Sequence, residues 1–282
     1  MKNILLISLF AFLVRFVFFI FYPDQFLPDS ITYEKLGKKL FISFFESEIQ
    51  TRGIENKYIF ESDGHMPLYS ILSYILGGRI NLIFFDIIIS SLTVFPLYLL
   101  SKKIFNEKTA LIIIIIFSIY PFSVFYSISG MTETIYVFLI VTFFCLIYYK
   151  KYLLSFVILS LSVYLRATLE IFHPILIFSF FYFVEKRKFF KSANFTIFFI
   201  IIYSFIMTPW WIHNYIKYDA FVRTNLSMGE ILYIGNNKLN KTGGGISGED
   251  FTFQNFEDEF GRSLFSDPIE KDKILLNEAL KF

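Results

Sequence analysis

Long apolar runs separated by short polar segments dominate the hydrophobic pattern of this chain. Runs that can cross roughly 30 Å of hydrocarbon as a helix are typical of membrane spans. We predict seven crossings, at residues 4–22, 80–100, 109–128, 132–149, 152–166, 170–184 and 194–213. The fifth and sixth are short, so a helical hairpin that dips through the outer leaflet stays open as an alternative for them. The pattern predicts an all-α integral membrane protein.

Composition agrees with this fold class and restricts the chemistry. Of the 282 residues, 55% are hydrophobic and 40 are Phe, and the mean hydropathy of +0.58 lies outside the range of ordinary soluble domains. The single cysteine, Cys145, lies inside an apolar run, and the three histidines have no metal-ligand spacing. His173 is interpreted as a buried polar residue. We assign no metal and no cofactor, with a divalent cation as the one alternative left open.

The distribution of basic residues sets the predicted orientation. Seven crossings from a cytoplasmic N-terminus place ten basic residues on one side, as the positive-inside rule requires. They are Lys2, Lys102, Lys103, Lys108, Lys150, Lys151, Lys186, Arg187, Lys188 and Lys191. The run 65–78 is too short to cross and predicts a helix in the outer interface. The predicted localisation is the inner membrane of a bacterium, with an extracytoplasmic active face.

Two parts of the chain differ in composition. Residues 1–213 form the predicted membrane module, with an outer loop at 23–79, and residues 214–282 form a segment without a further span. Glycine-rich turns in that segment indicate a loop over the outer face. Its closing stretch, "EKDKILLNEALKF", is typical of the start of a helix, so we expect a C-terminally truncated chain.

Two charged residues lie deep within predicted spans, where each costs about 2.5 to 3.5 kcal/mol on insertion scales. At 1.5 Å per residue, Arg15 and Asp86 lie roughly 10 Å and roughly 9 Å from the outer ends of the first two helices. Because they share a depth, we predict a structural ion pair that joins these helices.

Asp29 and Glu133 are the candidate catalytic acids. Asp29 lies in a Pro-Asp-Ser turn after the first span, with Tyr33 four residues later on the same helical face. An N-cap at Asp29 or Ser30 is the structural alternative. Glu133 follows Thr132 in a short outer turn without a nearby Lys or Arg, and helix capping is again the alternative. Two carboxylates on one outer face suit proton transfer or a cation.

Further polar groups belong to the same predicted face. Arg166 and Glu170 have i, i+4 spacing and can pair, yet an arginine at an outer turn is also a natural phosphate ligand. The segment 208–222, "TPWWIHNYIKYDAFV", is typical of an interfacial aromatic belt. His213 and Asn214 add polar groups to that belt.

Taken together, these motifs resemble the membrane glycosyltransferases with the GT-C fold, in particular the family 39 group of protein O-mannosyltransferases and lipid A aminoarabinose transferases. The matching positions are Arg15, Asp29, Tyr33, the run "MPLY" ending at Tyr69, Thr132 with Glu133, and "PWWIHNYIKYDAFVRTNLSMGEILYIGNN". His213 stands where the family's Pro-Trp-x-x-Arg-Asn-Tyr segment has an arginine. The resemblance covers essentially the whole chain, and the family usually continues into further spans.

The resemblance implies inverting transfer of a sugar from a polyprenyl-phosphate donor to an acceptor outside the cytoplasm. Asp29 would be the general base, and Glu133 would support it or position the acceptor. The substrate-binding and donor-binding set would be Tyr33, His65, Tyr69, Arg166, His213 and Asn214. Expected partners are this donor, membrane lipids and the acceptor, with no nucleic acid.

Three lysines follow the candidate base in sequence. Lys35, Lys38 and Lys39 would hold an amphipathic loop helix against lipid headgroups or approach the anionic donor.

Two other classes of function stay open. A membrane transporter would carry charges along the middle of several helices and would have two related halves. A non-catalytic scaffold for envelope assembly would tolerate loss of Asp29. The polar residues gather at one predicted face and no internal repeat is present in the sequence, which favours the enzyme.

Overall fold

The computed structural model describes residues 2–23, 27–45, 64–237, 240 and 267–281, and all regular structure in these ranges is helical. The predicted all-α fold class is therefore confirmed for this part of the chain. Part of the predicted outer loop, residues 46–63, and the glycine run 243–245 lie outside the described residues.

The helices are numbered here in chain order. They are α1 (Lys2–Phe21), α2 (Pro28–Phe45), α3 (Pro67–Ile75), α4 (Arg79–Leu92), α5 (Val94–Ile104), α6 (Glu107–Ile119), α7 (Pro121–Ile128), α8 (Glu133–Tyr148), α9 (Tyr152–Val163), α10 (His173–Ser179), α11 (Phe189–Tyr218), α12 (Met228–Gly235) and α13 (Pro268–Lys281). A 3₁₀ turn, Glu170–Phe172, precedes α10, and a π-helical turn, Phe180–Val184, follows it.

Within the described ranges, three helical stretches are long and apolar enough to cross a membrane: α1, the continuous stretch Arg79–Ile104, and α11. The pair α6 and α7, bent by 49°, makes a fourth if it is one span. α8, α9 and the stretch Glu170–Val184 are apolar but shorter. Helices thus occur at every predicted span position, and their lengths indicate membrane association. The count of spans supported by length is three or four rather than seven.

The chain divides into two compact units. The first comprises Met1–Ser47 and Met66–Pro209, and the second comprises Glu48–His65 and Trp210–Phe282. In the first unit, α1, α5 and α6 bury one apolar cluster, whereas α2, α3, α4 and α8 bury another. In the second unit, α12 packs along α13. The predicted domain boundary at residue 213 lies close to this division at Pro209, and it stays a prediction.

α2 and α3 pack closely against each other at Gly37. A Cβ atom on Gly37 would lie 2.2 Å from the carbonyl oxygen of Ser70 and 3.0 Å from Cβ of Tyr74. Only a glycine leaves room for this approach. The predicted interface helix in residues 65–78 is confirmed as a helix, α3, which ends at Ile75. Gly77 and Gly78 follow it with positive φ angles of 84° and 112°.

Arg15 is fully buried and bonds across the bend between α6 and α7. Pro121 has no N–H, so the carbonyl groups at the end of α6 lose helical partners there. Arg15 supplies donors to this end of α6, to α1, to α4 and to α7. Nε donates to Ser90 Oγ (2.7 Å), Nη1 to the carbonyls of Ala11 and Ser118 (3.0 Å each), and Nη2 to Ser123 Oγ (3.0 Å) and, more weakly, to the carbonyl of Phe117 (3.5 Å). All five N–H groups of the guanidinium are thus used.

The predicted ion pair between Arg15 and Asp86 is wrong. Arg15 bonds to Ser90, one helical turn along α4 from Asp86, and no ion pair joins the two charged groups among the described residues. Depth estimated from sequence does not separate adjacent turns of α4, because they differ by only about 6 Å along the helix axis. Equal depth therefore permits an ion pair, but Arg15 bonds instead to the carbonyl groups exposed at the bend.

Candidate functional site

Asp29 lies in the first turn of α2 with an exposed side chain. α2 begins at Pro28, whose fixed φ suits the first helical turn, and the Ser30 hydroxyl donates to the Leu27 carbonyl at 2.7 Å. The alternative of an N-cap at Asp29 or Ser30 is wrong, because both residues lie inside the helix. Among the described residues, Asp29 makes no hydrogen bond or ion pair. Its carboxylate is thus open to solvent at the positive end of α2.

Tyr33 lies one helical turn after Asp29 and is buried. Burial, and next the Asp29 carboxylate, raise the pKa of Tyr33 to about 12, and Glu133 acts in the same direction. A hydrogen bond with Thr132 and the charge of Arg166 oppose this rise in pKa. All four residues are therefore near the Tyr33 phenol, although they come from three separate parts of the sequence.

Glu133 opens α8 and pairs with Arg166, which follows α9. Nη1 of Arg166 donates to Oε1 of Glu133, and the Thr132 hydroxyl donates to Oε2 at 3.4 Å. Thr132 occupies the N-cap position, but its side chain makes no capping hydrogen bond. The pair is only partly buried, with 37% of the Arg166 side chain and 25% of the Glu133 side chain exposed. Glu133 thus has a distant partner that its local sequence does not reveal.

Tyr69 and Asp86 form a fully buried pair behind Tyr33. The Tyr69 hydroxyl donates to Asp86 Oδ2 at 2.5 Å, and the Tyr69 ring meets the Tyr33 ring edge-on with centroids 5.0 Å apart. Burial, and next the Asp86 carboxylate, raise the pKa of Tyr69 well above 10, so Tyr69 stays a hydrogen-bond donor at neutral pH. Oδ1 of Asp86 has no hydrogen-bond partner among the described residues.

The structure therefore brings together five of the predicted site residues. We call Asp29, Tyr33, Glu133 and Arg166 the carboxylate cluster. Tyr69 contacts this cluster through its ring, which packs edge-on against Tyr33. The cluster holds one exposed carboxylate, one ion pair and one buried phenol. This arrangement can take up a proton at Asp29 and can bind an anion with the remaining N–H groups of Arg166.

Glu170 and His173 lie outside the carboxylate cluster. Glu170 is buried and accepts a hydrogen bond of 2.6 Å from the Tyr203 hydroxyl. His173 is buried, and neither ring nitrogen has a hydrogen-bond partner among the described residues, which confirms its interpretation as a buried polar residue. Tyr203 has no local sequence signal that would mark it, because it is 33 residues from its partner Glu170.

The remaining predicted donor-binding residues, His65, His213 and Asn214, belong to the second unit. Asn214 is buried, and its amide nitrogen donates to the carbonyls of Val222 and Thr224 at 2.9 and 3.0 Å. Both amide N–H groups are committed to the backbone, so the prediction that Asn214 donates to a substrate is wrong. His65 and His213 keep their predicted roles as predictions.

The two tryptophans of this segment, like Asn214, donate hydrogen bonds to backbone carbonyls. Nε1 of Trp210 donates to the Thr224 carbonyl at 2.6 Å, and Nε1 of Trp211 donates to the Arg223 carbonyl at 2.9 Å. The ring of His213 stacks on Trp210 with centroids 5.1 Å apart. The segment predicted as an aromatic belt therefore fixes the chain that follows α11.

No group of three or more His, Cys, Asp or Glu side chains in the described ranges is arranged to hold a metal ion. The divalent cation left open by the sequence therefore gains no ligand set from this part of the chain. Cys145 is buried and free.

Comparison with known proteins adds no family assignment. No protein-family description, curated protein or solved structure matches this chain.

Proposed function

We propose that this chain is a membrane glycosyltransferase of the GT-C type that transfers a sugar from a polyprenyl-phosphate donor to an acceptor outside the cytoplasm. The observation that carries the proposal is that the exposed Asp29 carboxylate and the Arg166 guanidinium both lie near the Tyr33 phenol. Among the described residues, Arg166 uses one nitrogen for Glu133 and keeps other N–H donors unused. Glu133 and Arg166 lie at the ends of the apolar helices α8 and α9. A lipid-phosphate donor would hold its tail among such helices and its sugar at their ends.

The proposed reaction uses these groups in order. Asp29 removes the proton from the acceptor hydroxyl or amine, whose oxygen or nitrogen then forms the new bond to the anomeric carbon. The bond from that carbon to the phosphate oxygen breaks with inversion, and the phosphate leaves with the electron pair. Arg166 stabilises the leaving phosphate, because one guanidinium nitrogen holds Glu133 while other N–H groups stay available.

The geometry changes the role assigned to Glu133. A carboxylate already paired with Arg166 is a poor second base, because the arginine occupies one of its two oxygens. Glu133 instead orients Arg166 toward the phosphate. Its place beside the Tyr33 phenol also suits contact with an acceptor hydroxyl.

The orientation and the seven crossings belong to the same proposal. The positive-inside rule, applied to the basic residues between the predicted spans, supports a cytoplasmic N-terminus and an extracytoplasmic carboxylate cluster. The shorter helices α8 and α9 would then cross where the bilayer is locally thinned around them.

The test is sugar transfer from a radiolabelled polyprenyl-phosphate sugar pool into envelope material by the full chain in membranes. We expect Asp29→Asn to lower transfer by roughly a hundredfold or more, the usual contribution of a general base. Glu34→Gln is the matched control, since Glu34 is an exposed carboxylate on the same helix that pairs with Arg79. Equal transfer by the wild type and Asp29→Asn would refute Asp29 as the general base, and no transfer from any of several donor sugars would refute the enzyme.

A transporter is the second candidate, and the buried carboxylate of Asp86 in a candidate span favours it. In that case Asp86→Asn would abolish uptake of the transported ion or solute into proteoliposomes, whereas Asp29→Asn would leave uptake intact.

A further inference from the structure

α2 has two faces of opposite character. Its buried face, which includes Leu36 and Leu40, packs along α3. On the opposite face, Ile31, Lys35 and Lys38 recur at i, i+4 and i+7 and are exposed. An apolar residue followed by lysines on one helical stripe is typical of contact with a membrane surface.

The position of α2 places this stripe at the level of a bilayer surface. Residues 22–27 alone separate α2 from the end of the candidate span α1. Glu34 of α2 accepts a hydrogen bond of 3.2 Å from the backbone N–H of Arg79, the first residue of the candidate span Arg79–Ile104. A helix held at the ends of two spans, each about 30 Å or more in length, lies among headgroups rather than acyl chains.

The charge of the stripe has no counterpart in the part of the chain that the structure describes. Lys35 and Lys38 form no ion pair among the described residues, and the nearby acid, Glu34, faces Arg79. Lysine side chains can lay their methylene stems along apolar surface while the ammonium group reaches a phosphate. The ligand that completes this face therefore carries negative charge at headgroup depth.

We propose that the stripe of Ile31, Lys35 and Lys38 binds the headgroups of anionic phospholipids in the surrounding bilayer. Ile31 lies at the boundary with the acyl chains, and the two ammonium groups contact lipid phosphates. Such contacts anchor α2, and with it the N-terminal turn that carries Asp29, at a fixed depth. The proposal stands independently of the glycosyltransferase activity.

The experiment uses the full chain with a single reporter cysteine. Cys145 is the only cysteine and is buried, so Cys145→Ala with Ile31→Cys leaves one labelled site for an environment-sensitive fluorophore. Proteoliposomes of phosphatidylcholine would contain either brominated phosphatidylglycerol or brominated phosphatidylcholine at the same mole fraction. We expect each lysine to enrich phosphatidylglycerol over phosphatidylcholine near residue 31 by about fivefold. At low salt, brominated phosphatidylglycerol should therefore quench the fluorophore more strongly than brominated phosphatidylcholine does.

Two variants test the assignment. In the double variant Lys35→Gln, Lys38→Gln, the two brominated lipids should quench equally. The control double variant Lys188→Gln, Lys191→Gln makes an equal charge change at exposed lysines outside α2. It should keep the stronger quenching by brominated phosphatidylglycerol. High ionic strength should weaken the preference in the parent protein. Monodisperse elution and an unchanged thermal midpoint show that each variant is folded.

Three results would overturn the proposal. Equal quenching by both lipids in the parent protein would show that the stripe does not select anionic headgroups. Absence of quenching by either lipid would place α2 in water. Loss of the phosphatidylglycerol effect on adding a small fraction of unbrominated polyprenyl phosphate would show that the lysines bind the donor phosphate instead.

Discussion

The hydroxyl of Tyr69 donates a 2.5 Å hydrogen bond to Asp86, although the two residues belong to different helices and both are fully buried. This contact joins α3 to the candidate span Arg79–Ile104 and sets the position of the Tyr69 ring against Tyr33. Among the described residues, the Tyr69 hydroxyl is the one hydrogen-bond donor to this carboxylate. Stability should therefore be sensitive to its loss, because the cost of burying Asp86 would then be less compensated.

Tyr69→Phe should destabilise the protein by about 1 to 3 kcal/mol, because Asp86 then loses its hydrogen-bond donor in a buried site. Asp86→Asn should cost less, since an amide oxygen can still accept from Tyr69. The measurement is the midpoint of thermal unfolding in detergent, with Tyr215→Phe, an exposed tyrosine, as the control. Unchanged midpoints for both Tyr69→Phe and Asp86→Asn would contradict the role of this pair.

Tyr33 should make the protein sensitive to alkaline pH. Its pKa in the folded state is about 12 and near 10 in an unfolded chain, so the folded state holds the proton more tightly. The resulting stability is complete below pH 10 and is lost as the pH rises toward 12, by roughly 3 kcal/mol. Unfolding by denaturant at pH 9 and pH 11.5 should show a smaller alkaline loss for Tyr33→Phe than for the wild type. An equal loss in both would assign the alkaline instability to other groups.

Arg15→Lys should destabilise the protein by about 2 to 4 kcal/mol, because an ammonium has three N–H donors for a site that uses five. Arg187→Lys, at an exposed arginine, should have little effect. Thermal midpoints of the two variants in the same detergent provide the comparison. A midpoint for Arg15→Lys equal to that of the wild type would show that the bend between α6 and α7 does not depend on the guanidinium.

Gly37→Ala should loosen the packing of α2 on α3, because the new methyl group would lie 2.2 Å from the Ser70 carbonyl oxygen. We expect a loss of about 1 to 3 kcal/mol together with faster amide hydrogen exchange in α2. Gly235→Ala is the matched control, since a Cβ there has no atom within 4 Å. Protected α2 amides in the Gly37→Ala protein would argue against close packing at this position.

Local patterns in the sequence predicted the helices well and predicted the long-range contacts less well. Hydropathy, proline and glycine positions located helices at every predicted span and at residues 65–78, because those signals act within a few turns. The prediction that Asp29, Tyr33, Glu133 and Arg166 lie together rested on a general expectation: loops on the same side of a helix bundle meet. The pairing of Arg166 with Glu133, rather than with Glu170 at helical spacing, depends on how α8 and α9 pack and has no local signal.

The errors have a common physical origin. The predictions for Arg15 and Asn214 rested on side-chain type. Arg15 was expected to pair with an acid, and Asn214 was expected to donate a hydrogen bond to a substrate. In the structure, Arg15 bonds mainly, and Asn214 wholly, to backbone carbonyls. Inside a membrane protein the backbone groups freed at a bend or a return segment need donors as strongly as a carboxylate does. Pro121, which interrupts an apolar run, was the available signal for Arg15.

The contacts of Arg15 with main-chain oxygens carry an evolutionary consequence. A guanidinium that recognises the carbonyls of Phe117 and Ser118 needs no polar side chain at those two positions. It does lie 5.4 Å from the centre of the Phe117 ring, and Ser118 is fully buried. Substitutions that keep a ring at 117 and a small side chain at 118 can therefore accumulate without disturbing the bend, whereas the arginine has no equivalent replacement. In descendants of a common ancestor, we expect position 15 to be held fixed while positions 117 and 118 vary within those limits.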